Sequence, residues 1–98
     1  MKVTVSPAAK SDLIEIAMYI AQDNPDRALS FVGELEAKCF KLGQQPGLGT
    51  RRQELADGLR VAPHGRYLIF YREHTEGLRI ERVMHSARDI GSTDFSDL

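Results

Sequence analysis

A chain of 98 residues and 11.0 kDa has room for one domain over residues 1–98, long enough to bury roughly two thirds of the surface its unfolded form exposes. Hydrophobic residues at 42% and charged residues at 28% exclude a disordered tail and a membrane protein, and a net charge of −1 with a pI near 6.3 excludes a general nucleic-acid coat protein. The apolar runs are too short for a spanning helix or for a signal-peptide core behind Lys2, so the expected location is the cytosol; the one cysteine, Cys39, makes no internal disulfide and supplies too few thiols for structural zinc.

Val3-Thr4-Val5 reads as a short opening strand. Ser6 is a good N-cap and Pro7 suits the first helical position, so a helix is expected from there. Ala9, Leu13, Ile16, Ala17 and Ile20 form its apolar stripe, with Lys10, Asp12 and Glu15 expected to face water. Asn24-Pro25 repeats the same grammar and opens a second helix, whose stripe is Ala28, Phe31, Val32, Leu35, Cys39 and Leu42. Gly43 stands where a left-handed C-terminal cap is expected. So short a connection makes the helices an antiparallel hairpin, with their stripes on one surface, expected to be a sheet. Cys39 on that stripe reads as a buried thiol.

Residues 43–58 are rich in Gly, Pro and polar groups, apart from a turn at Gln53–Ala56, and form a connection long enough to suggest a functional or partner-binding loop. Three strands follow as a β-meander: Leu59–Ala62, Arg66–Glu73 and Leu78–His85, turned by Pro63-His64-Gly65 and by His74-Thr75-Glu76-Gly77. The run Tyr67-Leu68-Ile69-Phe70-Tyr71 is apolar or aromatic on both faces. A helix hairpin covers only one of them, so a protein partner is expected on the other. In the last strand Leu78, Ile80 and Met84 alternate with Arg79, Glu81 and His85, but Arg82 falls on the apolar face and Val83 on the polar one. Either a bulge lies near Arg82 or Arg82 points into a groove at the sheet's end. Ser86–Gly91 could add a helical turn, and a frayed tail is expected beyond it.

His64, His74 and His85 lack ligand spacing, so no metal is expected, and no phosphate-loop, dinucleotide or nucleophile-elbow pattern implies a cofactor or a hydrolase. Charge is concentrated instead: residues 50–88 hold eight arginines and no lysine against five acids. Arg60, Arg66, Arg82, His85 and Arg88, with Tyr67 and Tyr71, lie on or beside the meander. Guanidinium groups for phosphate, an imidazole for proton transfer and phenols for stacking would together suit an RNA-cleaving site. The same residues also read as a folded framework, with the tyrosines in the core and the arginines paired with Glu54, Asp57, Glu73, Glu81 and Asp89.

The order of segments resembles the ParE branch of the RelE/ParE toxins, the toxic halves of bacterial toxin–antitoxin pairs. The resemblance rests on Ser6-Pro7-Ala8-Ala9 with Asp12-Leu13, on Ile16-Ala17-x-Tyr19-Ile20-Ala21, and on Asn24-Pro25-x-x-Ala28. It continues through Pro46-Gly47-x-Gly49-x-Arg51-Arg52-x-Glu54-Leu55, Gly58-Leu59-Arg60, Tyr67-Leu68-Ile69-Phe70-Tyr71-Arg72 and Ile80-x-Arg82-Val83-Met84-His85-Ser86-Ala87-Arg88-Asp89. It implies an α+β domain of order β-α-α-β-β-β, its helix hairpin packed on one face of a small antiparallel sheet. It further implies tight binding by a ParD-like antitoxin and non-enzymatic action on DNA gyrase that traps cleaved DNA and blocks replication. The RelE branch instead cleaves mRNA on the ribosome, with several lysines and arginines and a late tyrosine; this chain has no lysine after Lys41 and no tyrosine after Tyr71. A ribosome-dependent endoribonuclease is therefore the alternative, and an inactive relic with a binding role a third reading. The expected target contacts are Arg82, His85 and Arg88 with Arg60 and Arg66. The expected antitoxin contacts are Arg51, Arg52, Arg60, Tyr67, Ile69 and Tyr71. No cofactor, membrane or sequence-specific nucleic-acid partner is implied.

Overall fold

One hydroxyl joins the first strand, the first helix and the last strand. In the computed structural model, which describes residues 1–98, Ser6 Oγ accepts the Ala9 N–H at 3.0 Å and donates to the Glu81 carbonyl at 2.8 Å. The first bond caps α1 (Pro7–Ala21); the second fastens the end of β1 (Lys2–Val5) to β5 (Gly77–His85). Asn24 caps α2 (Pro25–Gln44) in the same way, accepting the Arg27 N–H at 3.0 Å. Proline at the first turn of each helix loses no bond there, because that N–H has no helical partner. The second helix runs past its expected stop. Gly43 is an interior, buried position, and a Cβ there would come within 2.4 Å of Val3 Cγ2. Close passage of β1 across the helix demands glycine, not a left-handed cap.

The sheet has the order β1-β5-β4-β3-β2, with β2 (Thr50–Arg51), β3 (Arg60–His64) and β4 (Tyr67–His74). The meander is antiparallel, but β1 pairs with β5 in parallel, so the sheet is mixed. A parallel pair needs a long crossover; here that connection includes both helices and the meander's first two strands. The connecting loop is partly ordered as a 3₁₀ turn at Pro46–Leu48 and as β2. Pro63 and His64 belong to β3, and the turn into β4 is made by Gly65 at φ +57°.

Pairing in β4–β5 steps from Phe70↔Arg82 to Tyr71↔Ile80. Glu81 is the extra residue of a bulge, one position before Arg82, and this explains the broken alternation. Ile69, Tyr71, Leu78, Ile80 and Val83 pack under Ala9, Ile16, Phe31, Leu35 and Leu42 of the hairpin. On the opposite face Leu59, Val61, Phe70 and Met84 pack with Leu55 and Phe95. The face expected to need a partner is thus covered from within, by residues 52–59 and by the C-terminal 3₁₀ turn Ser92–Phe95. Nor is the tail frayed there: Phe95 is 3% exposed, its ring 4.9 Å from that of Phe70. No helix is long and apolar enough to cross a membrane.

Candidate functional site

Asp12, expected in water, is buried, and the reason lies in where β1 stops. Past Ile80 the edge of β5 has lost its neighbouring strand, and Asp12 on α1 takes the vacated place. Its Oδ2 accepts the Val83 backbone N–H at 2.9 Å and Arg82 Nε at 2.7 Å, while Oδ1 accepts Arg82 Nη2 at 2.9 Å. The fork geometry of guanidinium and carboxylate makes these charge-assisted bonds short and directional. The pairing pushes the Arg82 pKa further up, against the opposing effect of burial. Arg82 was expected as a target contact; instead its guanidinium is committed to Asp12 and ties helix to strand.

Beyond this tie, α1, the start of α2, the β3–β4 turn and the end of β5 enclose a groove of about 680 Å³. Ile16, Ile20, Phe31 and Val83 give it apolar walls, and Tyr19, Arg66, Tyr67, His85 and Arg88 give it a polar, aromatic rim. Tyr67 packs edge-on against His85, with centroids 5.1 Å apart, and tilts against Phe31 at 5.4 Å. Burial raises the Tyr67 pKa, and proximity to Tyr19 adds to the rise, so the phenol stays protonated. His85 Nδ1 accepts the Ala87 N–H at 3.0 Å. That bond requires an unprotonated Nδ1, so the neutral ring carries its proton on Nε2.

The cations of the groove differ in commitment. Arg27 lies over the Phe31 ring and is held by Glu34, whose other oxygen meets His64 Nε2 at 2.9 Å. Arg88 binds Asp94 at 2.6 Å but stays half exposed, and Arg66 enters no ion pair. Of the expected target residues, the structure gathers Arg66, His85 and Arg88 around one groove, with Arg82 behind its wall. Arg60 is elsewhere: it donates to the Gly49 carbonyl at 2.8 Å and lines a separate recess with Arg51 and Glu73. Tyr19 was not among the expected site residues. Its signal is an aromatic ring one helical turn beyond Ile16, on the flank of the stripe, and it is 68% exposed.

The expected antitoxin contacts separate as well. Ile69 and Tyr71 are fully buried beneath the hairpin, out of reach of any partner, because the central strand turns that face to the helices. Tyr71 serves the framework: its hydroxyl donates to the Pro46 carbonyl at 2.7 Å and accepts the Gly49 N–H at 2.8 Å. Arg52 pairs with Glu54 at 2.7 Å, Arg51 is exposed on β2, and Tyr67 belongs to the groove. No three His, Cys, Asp or Glu side chains gather so as to ligate a metal ion. What the groove offers is recognition chemistry: guanidinium donors, an imidazole N–H, phenols and aromatic faces over an apolar floor.

Comparison with known proteins agrees with this architecture. The family of the ParE toxin of the type II toxin–antitoxin system, parDE, matches residues 3–90. Toxin ParE1 of Caulobacter vibrioides is 33% identical over 86 residues, which cover 85% of this chain and 86% of that protein. The chromosomal ParDE toxin–antitoxin system from P. aeruginosa superposes with a TM-score of 0.72 at 22% identity, covering 87% of this chain and 95% of that one. The toxin–antitoxin complex RelBE2 from Mycobacterium tuberculosis gives a TM-score of 0.63 at 28% identity, covering 86% and 95%. The chain therefore belongs to the ParE family, within the RelE/ParE toxin superfamily, as the toxin of a type II toxin–antitoxin system.

Proposed function

We propose that the chain acts as a single toxin domain in the cytoplasm, inhibits DNA gyrase without catalysis by trapping cleaved DNA, and is neutralised by a ParD-like antitoxin. The groove rim carries this reading: Arg66, Arg88, His85, Tyr19 and Tyr67 form a surface suited to gripping another macromolecule. Neutralisation is supported by the company the fold keeps in solved toxin–antitoxin complexes and by apolar side chains left exposed on the hairpin. Ile14 and Met18 lie one turn apart on α1, and Leu29 and Phe40 are exposed on α2, a surface of the kind that an amphipathic antitoxin helix covers.

Controlled expression in bacteria tests the reading, paired with a gyrase cleavage assay on the purified chain. The expected response is DNA damage signalling with filamentation. Arg66→Ala and Arg88→Ala should lower trapped cleavage complexes about tenfold, the scale of one lost charge-assisted contact, with antitoxin binding and melting temperature unchanged. His85→Ala should act weakly, whereas a nuclease using it as acid or base would lose about a hundredfold in rate. Rapid loss of intact mRNA without DNA damage would replace this reading with the endoribonuclease, and expression without growth arrest would mark an inactive relic.

A further inference from the structure

On the sheet face away from the hairpin, a second concentration of charge surrounds a buried carboxylate. Glu81, the extra residue of the β5 bulge, has a side chain 1% exposed, and three basic side chains converge on it. Arg72 Nε lies at 2.9 Å, Arg79 Nε at 3.2 Å and His74 Nε2 at 3.4 Å. One carboxylate cannot neutralise two guanidinium groups, so the cluster keeps positive charge even with His74 neutral. Arg79 Nε and the facing Glu81 Oε1 are both buried without a hydrogen-bond partner: they meet by charge, not through an aligned bond. Arg79 is thereby anchored at Nε while its side chain as a whole stays 42% exposed.

Beside this cluster opens a recess of about 260 Å³, with Lys2, Thr4, His74, Thr75, Glu76 and Arg79 in its lining. Lys2 is brought there by register: β1 pairs Lys2 with Gly77 and Thr4 with Arg79, and Arg79 in turn faces Arg72 across β4–β5. Val3 and Val5 pack toward the hairpin core, so alternation puts Lys2 and Thr4 on the far face with Arg79. A Cβ at Gly77 would lie 2.2 Å from the Lys2 carbonyl oxygen, so β1 is pressed against the β4–β5 turn and Lys2 is held beside it. Lys2, Arg72 and Arg79 bring three basic side chains to this part of the sheet; Glu81 and Glu76 oppose them, and Asp94 and Asp97 share a second recess with Arg79.

We propose that this recess is an oxyanion site for a phosphate group, held by Lys2 and Arg79 with the hydroxyls of Thr4 and Thr75, and with His74 lining its wall. Donors drawn from β1, the turn and β5 surround a ligand from several sides, which suits a tetrahedral oxyanion better than a planar carboxylate. The phosphate comes either from a DNA backbone or from free inorganic phosphate. The site is separate from the groove, and its test does not depend on gyrase.

The full-length chain is titrated with inorganic phosphate and, separately, with a short duplex DNA of arbitrary sequence, while backbone amide shifts are followed. Saturable phosphate shifts confined to residues 2–4 and 72–81 are expected. Lys2→Gln, which leaves every contact of Glu81 in place, should weaken phosphate binding about fivefold at unchanged melting temperature and lower the salt slope of DNA binding by about one. Arg79→Gln should weaken it at least as much, and Arg51→Gln not at all. Competition by the duplex identifies the DNA backbone as the source; phosphate binding without such competition identifies the free ion. Absence of saturable shifts, Lys2→Gln binding phosphate like the parent chain, or equally tight binding of an acidic polypeptide at the same residues would overturn the proposal.

Discussion

Asp12→Ala would detach α1 from the bare edge of β5. Two charge-assisted bonds to Arg82 and the bond from the Val83 N–H are lost together. Removing one partner of a fully buried pair costs about 3–5 kcal/mol, and an orphaned buried N–H about 1–3 kcal/mol. The Arg82 side chain is 21% exposed, so water recovers part of the loss, and about 2–4 kcal/mol remains. At about 4–8 °C per kcal/mol for a domain of this size, the melting temperature should fall by about 8–32 °C. Urea and thermal unfolding followed by circular dichroism give both quantities. Asp12→Asn keeps an oxygen for the Val83 N–H and should cost less. Asp12→Ala combined with Arg82→Ala should be less damaging than the sum of the single changes, with a coupling of about 1–3 kcal/mol. Arg82→Ala alone should lose toxicity only in step with stability. An Asp12→Ala protein as stable as its parent to within about 0.5 kcal/mol, or strictly additive single changes, would refute the tie between helix and strand.

Tyr71→Phe strands the Pro46 carbonyl and the Gly49 N–H and should cost about 1–3 kcal/mol in urea unfolding, with faster amide exchange at Gly49; unchanged exchange would show that the loop does not depend on the hydroxyl. Burial, with a smaller push from Glu36, raises the Cys39 thiol to about 11, so alkylation in mildly alkaline buffer should proceed only as the protein unfolds, a rate that mass spectrometry reads directly and that prompt labelling would contradict. Arg27 foremost, and His64 after it, hold the Glu34 carboxyl at about 2, below its ordinary 4.5. A depressed carboxylate adds stability above its unfolded pKa, and that stability should be lost as pH falls from about 4.5 through about 2. Because Glu34 lies at the surface, added salt should shrink the effect, and a carboxyl NMR titration centred near 4.5 would disprove the pairing.

What was legible in the chain was what is local. Ser6-Pro7 and Asn24-Pro25 announce the helix starts because a cap and a first-turn proline act on their own turn. The meander shows its period because alternate faces meet different environments. The partner of β1 was hidden, since a parallel pairing with β5 leaves no mark in the residues between. Gly43 read as a cap because nothing nearby says that Val3 passes across it. Asp12 carries a signal in its position: it stands three residues after Ala9 and four before Ile16, on the stripe itself. An acid on a helix stripe and an arginine on an apolar strand face are complementary anomalies, and each accounts for the other. The covering of the second sheet face was obscured for a related reason. Phe95 is the one aromatic residue in a polar tail, and a lone ring has no periodicity to betray where it docks. Three of the five rim residues, Arg66, His85 and Arg88, came from charge on or beside the meander, and Tyr67 from its aromatic run; Tyr19 lay outside that pattern because it arrives from the other layer.

The bonds that close this fold span nearly its whole length: Ser6 reaches Glu81, and Asp12 reaches Arg82 and Val83. During synthesis the hairpin must leave the ribosome long before the strand that completes its sheet, holding an apolar face with no surface to rest on, and closing so long a loop is slow. The groove inherits this schedule. One side of it comes from residues 12–31 and the other from residues 65–88, so a chain cut short or stalled before β5 has neither a finished sheet nor a groove. Only a chain translated through β5 presents the groove at all.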